Sequence, residues 1–354
     1  MIKYAIILNP GHNRVYFDAS KKLALLEFKI AMETFSEKII EYNIEGIYGI
    51  DYLTFTSEDE LNSEDLVLLS RLSFTYAIFL ELKQGDDIYF KPIYKHSSYY
   101  FNENLSMILK YTGKTNELFT RFMLNVAIMI YKRNSSLKED LFLLDPVCGK
   151  GTTLFEALIL GVSCSGIDIN EKLVNEAYSY LKKYLEMGKY KHETFMEKFS
   201  DPRKKIHSKR INFQIAKNKE DKKLKNILDL ELIDGDSKYA DSFFKKETFH
   251  LIVGDLPYGV QHGSKVGNDQ GFTRNPDEFL LNSLPAWIKV LKKGGVMVLS
   301  WNTFVLKRSL MENILKENGL KLLMNDDPHA FSHRVDQAIN RDMIIAVKED
   351  TKYC

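Results

Sequence analysis

From residue 141 onward the chain repeats one unit: a short apolar run, an acid, and then a turn leading into a helical stretch. Leu141 to Leu144 ends at Asp145, Ser163 to Ile167 at Asp168, Leu230 to Ile233 near Asp234 and Asp236, and Leu251 to Val253 at Asp255. Val296 to Trp301 follows a Gly294-Gly295 turn, and Met343 to Val347 is a sixth run. Strands alternating with helices predict a mostly parallel, doubly wound α/β sheet of Rossmann-like type. Ligands bind such sheets beyond the carboxyl ends of the strands. Four of these ends carry an aspartate, so chemistry is expected there.

The preceding residues read differently. Ile2 to Leu8 is strand-like, Ala24 to Ile40 has helical apolar spacing, and Ile47 to Thr56 is a second strand. Leu66 to Leu72 reads as a short helix, and Tyr76 to Leu82 with Asp87 to Ile93 as a hairpin around Gln84-Gly85-Asp86. Residues 1–110 are therefore expected to form a small α+β module. Residues 111–140 are expected to be a helical linker around Thr115 to Tyr131, and 141–354 the doubly wound domain.

Size permits about two such units, since the chain has 354 residues and 45% of them are hydrophobic. Net charge is +1 and selects no partner. Its distribution is uneven: residues 189–225 hold 13 Lys/Arg against 5 Asp/Glu. That basic stretch separates the second and third predicted strands, where a helix and turn normally suffice, and it reads as an insertion. Cys148, Cys164 and Cys354 make neither a disulfide framework nor a metal cluster. No apolar stretch approaches the ~20 residues that span a bilayer. The expectation is a soluble, cytoplasmic protein with no metal and no membrane partner.

"LLDPVCGKGTT", Leu143 to Thr153, sets Asp145, Gly149 and Gly151 between strand and helix. A dinucleotide fingerprint would need glycine at Leu154, and a P-loop would need Ser or Thr where Gly151 follows Lys150. Neither phosphate cradle matches. The acids suit a nucleoside bearing an amino acid: Asp168 in "GIDIN" is placed for ribose hydroxyls, and Asp236 in "DGDSKY" for an adenine amino group.

These motifs resemble those of class I S-adenosylmethionine-dependent methyltransferases. "GKTNELFTRFMLNVA" (Gly113 to Ala127), "DPVCGKGTT", "DLPYG" and "LKKGGVMVLS" are most similar to the tRNA guanine-N2 methyltransferases of guanine-10 type, which are coupled to a THUMP domain. Over residues 1 to about 110 there is only a general likeness to that group's ferredoxin-like module. The resemblance implies S-adenosyl-L-methionine as cofactor and RNA, most plausibly tRNA, as partner, with a small activating subunit needed by some members. It places Asp145, Cys148, Gly149, Gly151 and Thr152 around the methionine part of the cofactor, Asp168 at the ribose, and Asp236 with Ser237 at the adenine.

In "GDLPYG", Asp255 and a carbonyl of Leu256 or Pro257 are suited to accept the two N–H bonds of an exocyclic amine, so that its lone pair faces the methyl group. Tyr258 offers a ring for stacking, worth ~1–3 kcal/mol per base. The base must be single-stranded or flipped out to arrive there. Asp255, Pro257 and Tyr258 are thus the expected catalytic residues, with Asp255 also bordering the cofactor. Leu256 departs from the usual proline. Guanine N2 and adenine N6 both remain open as the amine, the latter in DNA or rRNA, as does a non-catalytic RNA-binding protein that retains the fold. Gln261, His262, Lys265 and Arg274, in the loop Val260 to Pro276, and "FSHRVDQAINRD" (Phe331 to Asp342) are candidates for the substrate rim. The basic insertion reads either as a phosphate-contacting patch or as a solvated loop.

Overall fold

The computed structural model describes residues 1–9, 14–94, 99–107, 114–134, 140–257, 276–323, 327 and 329–349. The N-terminal module runs β1 (Ile2–Leu8), α1 (Arg14–Met32), β2 (Ile39–Ile47), β3 (Ile50–Ser57), α2 (Ser63–Arg71), β4 (Thr75–Gln84) and β5 (Asp87–Ile93). Its sheet has the order β2-β3-β1-β4-β5, and every neighbouring pair is antiparallel. The first four strands with the two helices have ferredoxin-like connectivity, and β5 extends the edge. Leu53, Phe55, Tyr4 and Ile6 pack under Phe28 of α1 and Leu69 of α2.

Two boundaries differ from the sequence reading. The helix ends at Met32, so Ile39 and Ile40 belong to a strand. The run Ile47 to Thr56 is split by a turn, because Tyr48 and Gly49 both take positive φ, 51° and 83°. Two successive left-handed residues make the tight hairpin turn favoured by strand twist, and one apolar run becomes the end of β2 and most of β3.

The short helix α3 (Asn104–Met107) precedes α4 (Glu117–Asn134). The sequence suggests a linker here, but α4 is buried along most of its length, from Phe119 to Tyr131. Its apolar side chains join the core of the large domain, while Met129 joins that of the N-terminal module. One helix therefore serves both cores.

The large domain continues with β6 (Phe142–Asp145), α5 (Thr152–Ile159), β7 (Ser163–Asp168), α6 (Glu171–Met187), β8 (Lys191–Asp201), β9 (Ile206–Ala216), α7 (Lys219–Lys223) and β10 (Leu228–Asp234). Then come α8 (Ala240–Phe243), β11 (Phe249–Asp255), α9 (Pro276–Val290), β12 (Leu291–Asn302), α10 (Arg308–Glu317), β13 (Leu320–Leu322), β14 (His333–Arg334) and β15 (Asn340–Lys348). The sheet order is β13-β15-β12-β11-β6-β7-β10-β9-β8, with β14 pairing β15. The five central strands, β12 to β10, are parallel. The flanking pairs are antiparallel. The basic insertion is the long β8–β9 hairpin, which widens the sheet at one edge.

Alternate residues of each central strand enter opposite cores. Leu143, Leu251, Val253 and Val298 face α4, α5 and α6, whereas Leu144, Ile252, Met297 and Leu299 face α9 and α10. Burial on both faces is why these strands read as unbroken apolar runs. From β6 the chain winds out through β7 to β10, then returns to β11 on the other side of β6. The switch point between β6 and β11 is where such a sheet opens a crevice. Among the described residues, no helix is long and apolar enough to cross a membrane.

Candidate active site

The loop after β6 is pulled down onto the end of β7. Cys148 N donates to Ile167 O at 2.9 Å, and Gly151 N to Cys148 O at 2.7 Å. Gly149 (φ 52°) and Gly151 (φ 87°) take left-handed conformations that other residues adopt at a cost. On β7, a Cβ added to Gly166 would lie 2.8 Å from Cys148 Sγ and 2.5 Å from a Leu154 methyl. Only a glycine there lets the loop lie so close. A Cβ on Gly149 would meet nothing within 4 Å, so this side of the loop faces open space.

Asp145 is 2% exposed and sits behind the loop. It accepts from Val147 N at 3.0 Å and from the Thr153 hydroxyl. Burial pushes its carboxyl up to about 7. Cys148, Thr152 and Ser237 are also buried. Burial raises the Cys148 thiol well above its ordinary range, which makes it a packing residue rather than a nucleophile.

Asp168 lies beside the loop at the end of β7. Its Oδ2 accepts from Gly149 N at 2.9 Å and its Oδ1 from Asn170 N at 2.8 Å. Burial raises its pKa, opposed by those two bonds. Asp236 follows β10, accepting from Lys238 N at 3.1 Å and pairing with Lys238 Nζ at 2.8 Å. Ser237 is fixed through its carbonyl, which accepts from Trp287 Nε1 at 3.1 Å. Half-buried carboxylates ending β7 and following β10, beside an open glycine face, fit a nucleoside-bearing cofactor. No group of His, Cys, Asp and Glu suited to a metal occurs among the described residues.

Across the switch point, β11 delivers Asp255. A Cβ on the preceding Gly254 would lie 3.4 Å from Asp145 Oδ1, Pro146 and Val147, so the glycine loop and the "GDLPYG" strand end are in close contact. Asp255 is gripped from three places in the chain. Ser300 Oγ of β12 donates to Oδ1, while Thr115 Oγ1 and Arg341 Nη2 of β15 donate to Oδ2, the latter at 3.3 Å. Arg341 is 4% exposed, and its guanidinium lies 5.1 Å from the centre of the Phe119 ring. His333 packs against the same ring, 4.9 Å between centres. Burial and the Arg341 charge push that imidazole down to about 4, so it is neutral at physiological pH.

Leu256 is 2% exposed and packs among apolar side chains of the α9–α10 face. Its N–H donates to Ser300 O at 2.8 Å. A proline could not make this bond. Pro257 is exposed at the mouth. Tyr258 and the rim residues Gln261, His262, Lys265 and Arg274 lie outside the described residues.

The structure thus brings together Asp145, Cys148, Gly149, Gly151, Thr152, Asp168 and Asp255, with Asp236 and Ser237 further along the same sheet edge. Thr115, Ser300 and Arg341 were not singled out from sequence. Each lies inside a quoted stretch, but nothing local marks it as a partner of Asp255.

A family profile described as UPF0020, RMKL-like, methyltransferase domain, matches residues 125–280. That stretch of the chain is similar to the RMKL-like domain. The matched residues take in the glycine loop, Asp168, Asp236 and Asp255. A curated relative, tRNA (guanine(10)-N2)-dimethyltransferase of Methanocaldococcus jannaschii, is 26% identical over 286 residues, 80% of this chain. The chain spans 63% of that relative's length. Among solved structures, an rRNA methylase from Streptococcus thermophilus aligns with 10% identity and a TM-score of 0.35, covering 63% of this chain and 95% of that one. A ribosomal protein L11 methylase from Lactobacillus delbrueckii aligns with 16% identity and a TM-score of 0.35, covering 65% and 80%.

Proposed function

We propose that this chain transfers a methyl group from S-adenosyl-L-methionine to an exocyclic amine of an RNA base, guanine N2 in tRNA. The observation that carries the reading is Asp255, a carboxylate fixed by Thr115, Ser300 and Arg341 at the switch point beside the glycine loop. The tRNA methyltransferase relative supplies the substrate class.

The bound cofactor supplies an electrophilic methyl group. Gly149 and Gly151 would give it a close backbone approach, Asp168 would accept from its ribose, and Asp236 and Ser237 would border its adenine. Asp145 shapes the loop from behind. Asp255 accepts an N–H of the amine, a carbonyl of Leu256 or Pro257 accepts the other, and the nitrogen lone pair is left facing the donor. The amine carries its extra proton only after transfer and releases it then, so no strong base is needed beforehand. Holding donor and acceptor in line is the main contribution, and orientation of this kind is worth roughly 7–11 kcal/mol.

Mass spectrometry of nucleosides from tRNA incubated with protein and cofactor tests this, with N2-methylguanosine expected. N6-methyladenosine instead would move the reading to the other amine, and no new methylated nucleoside would overturn it. Asp255→Asn should lower kcat roughly 10–100-fold, the value of one charge-assisted hydrogen bond.

A further inference from the structure

The β8–β9 hairpin is longer than the sheet needs. Its two strands pair over 11 residues each, and β9 joins β10 with Arg210 opposite Ile233. Since β10 runs parallel to β7 and ends at Asp234 beside Asp168, the β8–β9 turn is carried past the carboxyl ends of the parallel strands. This is the edge that holds Gly149, Asp168 and Asp255. Lys205 lies four residues beyond the level of Asp234, roughly 13 Å of extended chain.

The tip is anchored. Ile206 is buried in the same core as Phe243, and the Phe199 and Phe243 rings are 5.2 Å apart. Arg210 Nη2 donates to Phe243 O at 2.6 Å, and Lys204 Nζ to Ser242 Oγ at 2.6 Å. The hairpin end is therefore fixed on the α8 segment that follows Asp236. Pro202, Arg203, Lys204 and Lys205 are exposed there, three cations in a row, and Lys204 meets Asp241 at 3.4 Å. Nearer the base of the hairpin the charges are matched, with Glu197 opposite Arg210 and Glu193 paired to Lys222.

We infer that this tip, Arg203 with Lys204 and Lys205, grips the phosphate backbone of the RNA whose base enters the site at Asp255. The inference rests on the RNA reading above. From β9 to β11 there are four strand spacings, about 19 Å. That is about the length of five or six stacked base steps at 3.4 Å each. A strand or stem leaving the site along the sheet edge would thus reach the tip. A cationic tip on a rigid hairpin holds such a backbone without reading its sequence.

The test uses the full chain and its Arg203→Gln/Lys205→Gln variant, with binding of bulk tRNA measured by fluorescence anisotropy over a salt series. Each lost phosphate contact should make the log Kobs against log [salt] slope shallower by about 0.7–0.9, so the double variant should lose about 1.4–1.8. Affinity for S-adenosyl-L-methionine is the control and should not move. Arg203→Lys, which keeps the charge, should retain the wild-type slope. Equal slopes for wild type and double variant would overturn the hairpin contact even if tRNA is methylated. Absence of methylation with a slope that still depends on the hairpin would instead overturn the catalytic reading and leave the contact standing.

Discussion

Arg121 Nε of α4 donates to Glu156 Oε2 of α5 at 2.9 Å, with side-chain exposures of 5% and 0%. Glu103 shares the same guanidinium, and Ser106 Oγ donates to the other Glu156 oxygen at 2.5 Å. The glycine-loop helix is thereby tied to the helix that also enters the N-terminal core. Arg121→Met should cost about 3–5 kcal/mol, because it would leave the buried Glu156 carboxyl without its ion-pair partner. The double variant Arg121→Met/Glu156→Gln should recover part of that loss. Urea denaturation checks both, and equal stability of single and double variants would contradict the coupling.

Glu27 of α1 is fully buried, accepting from Ser73 N at 3.1 Å and from Asn125 Nδ2 at 2.7 Å. Burial raises its pKa from 4.5 to about 7. The folded state therefore holds this proton more tightly than the unfolded chain. Its contribution is complete below about pH 4.5 and is lost as pH rises through 7, by ~3 kcal/mol at 1.36 kcal/mol per unit. The stability difference between wild type and Glu27→Gln, followed by denaturant titration from pH 5 to 8, should shift by that amount in favour of the variant. Parallel curves would show that the proton is not held this way.

Gly166→Ala should disturb the cofactor loop by pushing on Cys148 and Leu154, with every residue expected to hold the cofactor left unsubstituted. The new Cβ would lie 2.8 Å from Cys148 Sγ, and overpacking of this kind costs ~1–3 kcal/mol. Calorimetric titration with S-adenosyl-L-methionine should show weakened binding, whereas unchanged affinity would mean that the loop does not depend on this contact.

Leu256 invites a comparison of two substitutions. Leu256→Ala empties a core position, a loss of ~2–5 kcal/mol. Leu256→Pro removes that side chain and also the N–H that reaches Ser300 O at 2.8 Å. Thermal unfolding should place the proline variant below the alanine variant by ~1–3 kcal/mol. If the proline variant were the more stable, the hydrogen bond would not be what favours leucine.

The central strands and their acidic ends were legible in sequence because parallel strands are buried on both faces and leave unbroken apolar runs. The β2–β3 turn was not, since Tyr48 is an ordinary strand residue until its φ is known. The donors to Asp255 were invisible for a different reason. Thr115, Ser300 and Arg341 stand 140, 45 and 86 residues away, and no local period encodes such distances. The insertion at 189–225 showed its charge in sequence, but its direction followed only from the antiparallel register with β10.

Strand β15 lies between β12 and β13, although both precede it in the chain. Up to the end of β12 the chain contains Thr115, Asp255 and Ser300, but not Arg341. When β15 slots into place, it closes the sheet and sets the final hydrogen bond on Asp255 in one event. A chain lacking that strand would hold the Asp255 carboxylate with nothing from β15 to steady it. The seating of β15 thus completes both the sheet and the grip on Asp255.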